Sequence, residues 1–219
     1  MTGEKAVPNI LTSARLVLAI LMWLCLATAA GGVPFLSDLD MMTGQVQFEL
    51  QRWAFWLFII AAATDFFDGL LARRWHAESL AGAVLDPIAD KILVCGAILG
   101  LLSTGAFQQN FQQFVVPAAL ILFREFAVSG LREVMAGRGI KLPVTTLAKW
   151  KTTVQLVALG ATLLVASWPA LGLEMDPAHM TPAALVAHVL MWIAAIVSLW
   201  TGAEYLFASR RAVKAQAAD

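Results

Sequence analysis

Two acidic segments that flank one short turn determine how this chain folds. The first reads TDFFDGLLAR at residues 64–73 and ends an apolar stretch, and the second reads GAVLDPIADK at residues 82–91 and begins another. A further membrane crossing between them would need about 20 apolar residues, many more than the connection contains. The sequence therefore predicts two antiparallel neighbouring helices, each with acidic residues at the end next to the turn.

The composition places these helices in a membrane. Of the 219 residues, 60% are hydrophobic and 14% are charged, and the mean hydropathy is +0.76. A soluble domain carries about 25% charged and 45–50% apolar residues, so this chain lacks the charge to cover a water-facing surface. The composition excludes a disordered chain, a collagen-like rod and a nucleic-acid-binding protein. We predict an integral membrane protein in contact with membrane lipids.

Six stretches are long and apolar enough to span a bilayer, and we predict one all-α, six-transmembrane-helix bundle over residues 1–219. Lys and Arg concentrate in the connections on one side of this layout, and such connections remain cytoplasmic. Both termini are therefore predicted to be cytoplasmic. The predicted spans are roughly 10–30, 52–71, 84–104, 114–135, 149–168 and 182–208.

The first stretch also has a second interpretation. Lys5, the apolar run after it and the small residues Ala27-Thr28-Ala29 resemble a signal peptide with its cleavage site. The six-span layout needs this helix if both termini are to lie on the same side of the membrane. We therefore predict that the helix is retained.

The acidic residues next to the turn form a candidate metal site. At 100° per residue, Asp65 and Asp68 share one face of the first helix, and Asp86 and Asp90 share one face of the second. Four close carboxylates oppose one another's ionisation, and charge within a membrane is costly. Divalent cations relieve both costs, and oxygen ligands suit Mg²⁺ or Mn²⁺. The alternative, pairing with nearby Arg and Lys as helix-end anchors, does not require this spacing.

The same residues carry a resemblance to a known family. The pattern D-x2-D-G-x2-A-R-x8-G-x3-D-x3-D, complete at residues 65–90, is the signature of the CDP-alcohol phosphotransferase family. Members of this family have six membrane helices and a site at the cytoplasmic face. The chain resembles the bacterial phosphatidylglycerophosphate synthase branch of the family in further segments, at residues 8–15, 85–91, 124–125, 129–133 and 149–155.

The resemblance implies a reaction and its cofactors. The phosphatidyl group of CDP-diacylglycerol would be transferred to glycerol 3-phosphate with release of CMP. Two divalent cations, Mg²⁺ or Mn²⁺, would be held by Asp65, Asp68, Asp86 and Asp90. Asp90 also resembles the general base of the family. The resemblance further implies a homodimer in the bacterial inner membrane, with its active site at the cytoplasmic face.

Substrate-binding residues follow from the same resemblance. Contacts with the nucleotide of CDP-diacylglycerol are implied for Asn9, Thr12, Gly69, Arg73, Ser79 and Gly82. Glycerol 3-phosphate brings a dianion that needs a basic pocket, and arginine suits phosphate because it donates two parallel hydrogen bonds. A charged residue within an apolar stretch is costly unless it is paired or functional. Arg124 lies within such a stretch, and Arg132, Lys149 and Lys151 flank the next predicted cytoplasmic connection. Added to the resemblance, these positions predict that the four residues bind glycerol 3-phosphate.

Two alternatives stay open at this stage. Within the family, the acceptor would be inositol phosphate or phosphatidylglycerol instead of glycerol 3-phosphate. In a different class, intramembrane acids also mark ion pathways, so a small cation-coupled transporter is the other hypothesis. A transporter would place its acids nearer the membrane midplane, and it would not release CMP.

Overall fold

The computed structural model describes residues 6–33, 44–75, 80–104, 111–140, 146–173 and 176–216. Within these ranges, only the backbone is described at residues 6–9, 65–75, 80–84, 111–113, 146–149 and 177. The described residues form six α-helices and contain no strand, which confirms the all-α prediction. The helices are α1 (Ala6–Ala29), α2 (Gly44–Trp75), α3 (Leu80–Ser103), α4 (Phe111–Gly137), α5 (Thr146–Ala166) and α6 (Pro177–Gln216).

Within the described residues, three helical segments are long and apolar enough to cross a membrane. They are Ile10–Ala29, Phe114–Gly137 and Ala178–Gln216. They coincide with the first, fourth and sixth predicted spans, which supports a helical membrane protein. Part of α5, Trp150–Ala166, is apolar but shorter. The count of six spans stays a prediction for α2, α3 and α5.

The end of α4 shows why the chain stops being helical where it does. Gly139 has a positive φ of 74°, a conformation that a residue without a Cβ adopts at little cost. The N–H of Ile140 then reaches back to the carbonyl of Met135 at 2.9 Å, which satisfies an otherwise open helix-end carbonyl. Gly31 follows α1, and it has a similar positive φ of 72°.

The helices form two groups of three. One group comprises α1 packed against α2 and α3, and in the other α6 packs against α4 and α5. Smaller contacts of α5 with α2 and α3 join the two groups. The buried core lies along this junction and receives apolar side chains from all six helices. They include Met22, Leu26, Phe58, Leu93, Ile98, Ile121, Leu159 and Met191.

Close helix contact within the first group depends on a glycine. A Cβ at Gly100 of α3 would lie 2.9 Å from the Cβ of Leu26 on α1, closer than real Cβ contacts. The absence of that side chain lets α1 lie directly on α3. As a result, polar residues near the start of α1 reach the acidic start of α3.

Candidate active site

A cavity of about 420 Å³ opens where α3 and α5 begin and α4 ends. Charged side chains from three helices line it, together with an aromatic residue from α6. The acidic wall of the cavity consists of Asp86 and Asp90, and its basic wall consists of Arg124, Arg132 and Lys151. The other lining residues are Pro87, Lys91, Val94, Glu125, Val128, Ser129, Thr152, Gln155 and Tyr205.

Helix α1 holds the acidic wall in place. The hydroxyl of Thr12 donates to Oδ1 of Asp86 at 2.5 Å, and Nη1 of Arg15 forms an ion pair with Oδ1 of Asp90 at 2.8 Å. Thr12 and Arg15 lie one turn apart on α1, and Asp86 and Asp90 lie one turn apart on α3. The equal spacing lets each residue of α1 contact one carboxylate of α3. Both α1 residues are buried, whereas Asp86 is exposed and the Asp90 side chain is 37% exposed. The carboxylates are therefore oriented from behind and open toward the cavity.

Glu125 is the centre of the basic wall. Its Oε1 accepts hydrogen bonds from Nη1 of Arg124 at 3.1 Å and from Nε2 of Gln155 at 3.2 Å. It also accepts a hydrogen bond from Nζ of Lys151. Arg124, Glu125 and Lys151 are all less than 9% exposed. A buried charge is tolerated when it is paired and hydrogen-bonded, and this cluster holds two cations around one carboxylate.

Helix α6 anchors the basic wall from the other side. Nε of Arg124 donates to the backbone carbonyl of Ser198 at 3.0 Å, and its Nη2 donates to the Thr201 hydroxyl at 3.0 Å. Gln155 reaches the same helix, where it donates to Oγ of Ser198 at 2.7 Å. At Gly202 an added Cβ would lie 3.0 Å from Cγ of Arg124, so the arginine lies across a position without a side chain.

The rim of the cavity combines an aromatic ring with further polar groups. The guanidinium carbons of Arg124 and Arg132 each lie 5.9 Å from the ring centroid of Tyr205. Tyr205 is buried, whereas Arg132 is exposed at the cavity mouth. Lys91 donates a hydrogen bond to Ser129, which links α3 to α4. Basic, aromatic and hydroxyl side chains therefore line the same cavity as the two carboxylates.

The structure brings part of the predicted site together. Asp86, Asp90, Arg124, Arg132 and Lys151 line one cavity, and Thr12 contacts it through Asp86. Ser79 lies outside the described residues. For the other predicted residues the structure describes the backbone alone, so their contacts in the site are untested. These residues are Asn9, Asp65, Asp68, Gly69, Arg73, Gly82 and Lys149.

The structure describes the side chains of only two of the four predicted metal ligands, Asp86 and Asp90, so the metal site stays a prediction. In the part of the chain whose side chains are described, no group of three His, Cys, Asp or Glu residues is placed to hold a metal ion. Asp86 and Asp90 do lie one turn apart and line the same cavity with oxygen donors. Such donors fit a hard divalent cation, but the full predicted set also needs Asp65 and Asp68.

Several residues that build the site carry no predicted role. Arg15 is a charged residue within an apolar span, and that position alone is a signal for a buried partner. Gln155 lies in a segment that supported the family resemblance, without an assigned contact. The hydroxyls of Ser198 and Thr201 give little signal, because small polar residues in apolar helices commonly bond to their own backbone. The sequence gives no signal of a functional role for Tyr205 beyond its place on α6.

The comparisons with known proteins agree on the family. The sequence pattern of the CDP-alcohol phosphatidyltransferase family matches residues 5–200. A CDP-diacylglycerol–glycerol-3-phosphate 3-phosphatidyltransferase of Cereibacter sphaeroides is 45% identical over 163 residues, which are 73% of this chain and 63% of that protein. This chain thus spans less than two thirds of the length of that relative.

Two further relatives with the same name are matched over larger shares of their length. The protein of Rickettsia bellii is 40% identical over 155 residues, 71% of this chain and 77% of the relative. The protein of Haemophilus influenzae is 36% identical over 152 residues, 68% of this chain and 73% of the relative. With nearly the whole chain matched by the family pattern, the protein belongs to the CDP-alcohol phosphatidyltransferase family.

Proposed function

We propose that this protein is a membrane-bound CDP-diacylglycerol–glycerol-3-phosphate 3-phosphatidyltransferase, a phosphatidylglycerophosphate synthase. It transfers the phosphatidyl group of CDP-diacylglycerol to glycerol 3-phosphate and releases CMP. The observation that carries the proposal is the cavity itself, which Asp86 and Asp90 of the family signature line together with the basic wall. The names of the relatives supply the donor and the acceptor.

The acidic wall serves the reacting phosphate. Asp65, Asp68, Asp86 and Asp90 would hold Mg²⁺ or Mn²⁺, and two such ions would neutralise charge on the pyrophosphate and on departing CMP. In the transfer, the acceptor oxygen bonds to the phosphatidyl phosphorus while the bond from phosphorus to the CMP oxygen breaks. Asp90 accepts the proton of the acceptor hydroxyl as general base, and Arg15 keeps its carboxylate in position at 2.8 Å.

The donor nucleotide binds beside this wall. We assign it to Asn9, Thr12, Gly69, Arg73, Ser79 and Gly82, as the family resemblance implies. The hydrogen bond from Thr12 to Asp86 gives α1 a direct part in orienting the acidic wall. The lipid tails remain in the bilayer beside the helices.

The basic wall binds the acceptor. Glycerol 3-phosphate carries a dianion, and the wall offers three cations, Arg124, Arg132 and Lys151, against the single carboxylate of Glu125. The hydrogen bonds of Arg124 to Glu125, Ser198 and Thr201 fix its guanidinium before substrate arrives. A side chain that is already fixed loses less conformational entropy on binding, which strengthens the binding of a small ligand. Lys149 completes this pocket in the proposal.

The membrane arrangement belongs to the same proposal. Six spans with both termini in the cytoplasm place the cavity at the cytoplasmic face of a bacterial inner membrane, and two copies form a homodimer. The support is the location of the cavity where α3 and α5 begin and α4 ends. Arg132, Arg138 and Lys151 are among the basic residues that predict the cytoplasmic side, and they lie at these ends of α4 and α5.

The deciding experiment is CMP release by the purified protein in detergent, with CDP-diacylglycerol and Mg²⁺ or Mn²⁺. Glycerol 3-phosphate is supplied, omitted, or replaced by inositol phosphate or phosphatidylglycerol. We expect release that requires both a divalent cation and glycerol 3-phosphate. Release with a different acceptor would move the protein to a sister branch of the family. No release with any acceptor from folded protein would refute the proposal and favour the transporter.

A further inference from the structure

We propose that Tyr205 is a positioning residue, whose ring holds Arg124 and Arg132 together in the cavity so that both reach the phosphate of the acceptor. The inference rests on the proposed function and adds a residue of α6 to the machinery that selects the acceptor. It starts from the ring of a buried tyrosine that lines the cavity and contacts two arginines.

The contacts have the geometry of cation–π interactions. Each guanidinium carbon lies 5.9 Å from the ring centroid, within the ~6 Å over which a ring face attracts a cation. The Tyr205 side chain is only 5% exposed, and a contact away from water is stronger than an exposed one. Arginine is the cation that stacks best on aromatic faces. The ring is therefore placed to stabilise both cations.

The two arginines need such a partner because they are like charges on one helix face. Arg124 and Arg132 lie about two turns apart on α4, so both project toward the same side of the helix. Arg124 is already fixed by Glu125, Ser198 and Thr201. Arg132 is exposed, and its long side chain has more rotamer freedom to lose when it binds a ligand. The ring contact reduces that loss and offsets part of the repulsion.

The matched variants Tyr205→Phe and Tyr205→Leu separate the ring from the hydroxyl. Phenylalanine keeps the ring face, so the KM for glycerol 3-phosphate should stay close to that of the parent protein. Leucine removes the ring, and we expect that KM to rise about tenfold, the effect of losing a partly desolvated cation–π contact. The KM for CDP-diacylglycerol and kcat should change little, because the acidic wall is untouched. CMP release at varied concentrations of each substrate gives these constants.

A second measurement reports on Tyr205 without any substitution of that residue. Tyr205 is the single tyrosine of the chain, so biosynthetic replacement of tyrosine by 3-fluorotyrosine labels this ring alone. Titration with glycerol 3-phosphate should shift the ¹⁹F resonance saturably, since the arginines over the ring take up the ligand's charge. Arg132→Gln should weaken that response. Arg138→Gln, an exposed residue outside the cavity, should leave it intact.

The outcomes distinguish this inference from the proposed function. If the parent protein shows no CMP release that depends on glycerol 3-phosphate, the proposed function fails. If the parent is active but leucine leaves the KM unchanged, the positioning role fails. If the KM for glycerol 3-phosphate rose equally in Tyr205→Phe and Tyr205→Leu, the effect would belong to the hydroxyl, and the inference would be overturned. The inference would also be overturned if the ¹⁹F resonance of active protein did not shift at saturating glycerol 3-phosphate.

Discussion

The acidic wall and the basic wall of the cavity are held by different means. Asp86 and Asp90 are contacted by Thr12 and Arg15 of α1, and their side chains remain partly open to the cavity. Arg124 and Lys151 are buried with Glu125 in a network that ties α4 to α5 and α6. An asparagine in place of a partly exposed aspartate keeps the size of the side chain and an oxygen that can accept from α1, so the cost to the fold is small. Removal of the shared carboxylate from a buried cluster leaves two cations without it and costs more. Variants in the acidic wall should therefore lower mainly turnover, whereas variants in the basic wall should also lower the stability of the fold.

The largest expected effect is on turnover, in the acidic wall. Asp90→Asn removes the proposed base but keeps the size of the side chain, so CMP release should fall by about 10²–10⁴-fold. Binding of CDP-diacylglycerol should be largely spared, whereas Asp86→Asn should lose both binding and turnover. Equilibrium binding and CMP release by the same two preparations test the pair. An Asp90→Asn protein with a near-normal rate would remove Asp90 from its role as base.

The second effect is on stability, in the basic wall. Glu125→Leu leaves Arg124 and Lys151 buried without their shared carboxylate, and breaking a buried ion pair costs about 3–5 kcal/mol. We expect a clear fall in the thermal unfolding midpoint in detergent, together with loss of activity. Glu133→Leu, an exposed position two turns further along α4, is the matched control and should change the midpoint little. Equal midpoints for the two variants would contradict the difference between the walls.

A smaller effect should come from the residue behind the acidic wall. Arg15→Gln removes the cation that orients Asp90, and a hydrogen bond to a charged group contributes about 1.5–3 kcal/mol. We expect kcat to fall by about tenfold or more, with partial recovery in Arg15→Lys, which restores the charge without the fork. Steady-state CMP release provides the measurement. If Arg15→Gln lowers only the amount of folded protein and not kcat, Arg15 has a structural role alone.

The same two walls show what the sequence can and cannot predict. The acidic wall can be predicted from local sequence, because the spacing of Asp86 and Asp90 places both on one face of a single helix. Their partners on α1 lie 74 and 75 residues away, and no local pattern pairs those helices. The all-α class was equally predictable, because composition and apolar run length are sufficient for it.

The basic wall was predictable only in its charged members. Arg124 stands out as an ionisable residue within an apolar stretch, and Lys151 as a basic residue beside a predicted cytoplasmic connection. With the family resemblance, these positions predict contacts with the acceptor phosphate. Ser198 and Thr201 do not stand out, because a hydroxyl in an apolar helix usually bonds to its own backbone. Thr201 does so as well, with the carbonyl of Val197 at 3.0 Å. Its second use, as acceptor for Arg124, depends on how α6 packs on α4.

The smallest expected effect tests that packing through a glycine. At Gly202 an added Cβ would meet Cγ of Arg124 at 3.0 Å, so Gly202→Ala should push the arginine aside by a few tenths of an ångström. The three hydrogen bonds that fix its guanidinium would lengthen, and we expect a rise of about two- to fivefold in the KM for glycerol 3-phosphate.

Gly130→Ala is the matched control for this glycine, because a Cβ at that position of α4 would meet nothing within 4 Å. Alanine is the better helix former by about 1 kcal/mol, so both variants gain the same intrinsic helix stability. Only Gly202→Ala should change the KM, and the KM for CDP-diacylglycerol should stay constant in both. An unchanged acceptor KM in Gly202→Ala would mean that the basic wall tolerates movement of Arg124, and its preorganisation would then have no part in acceptor binding.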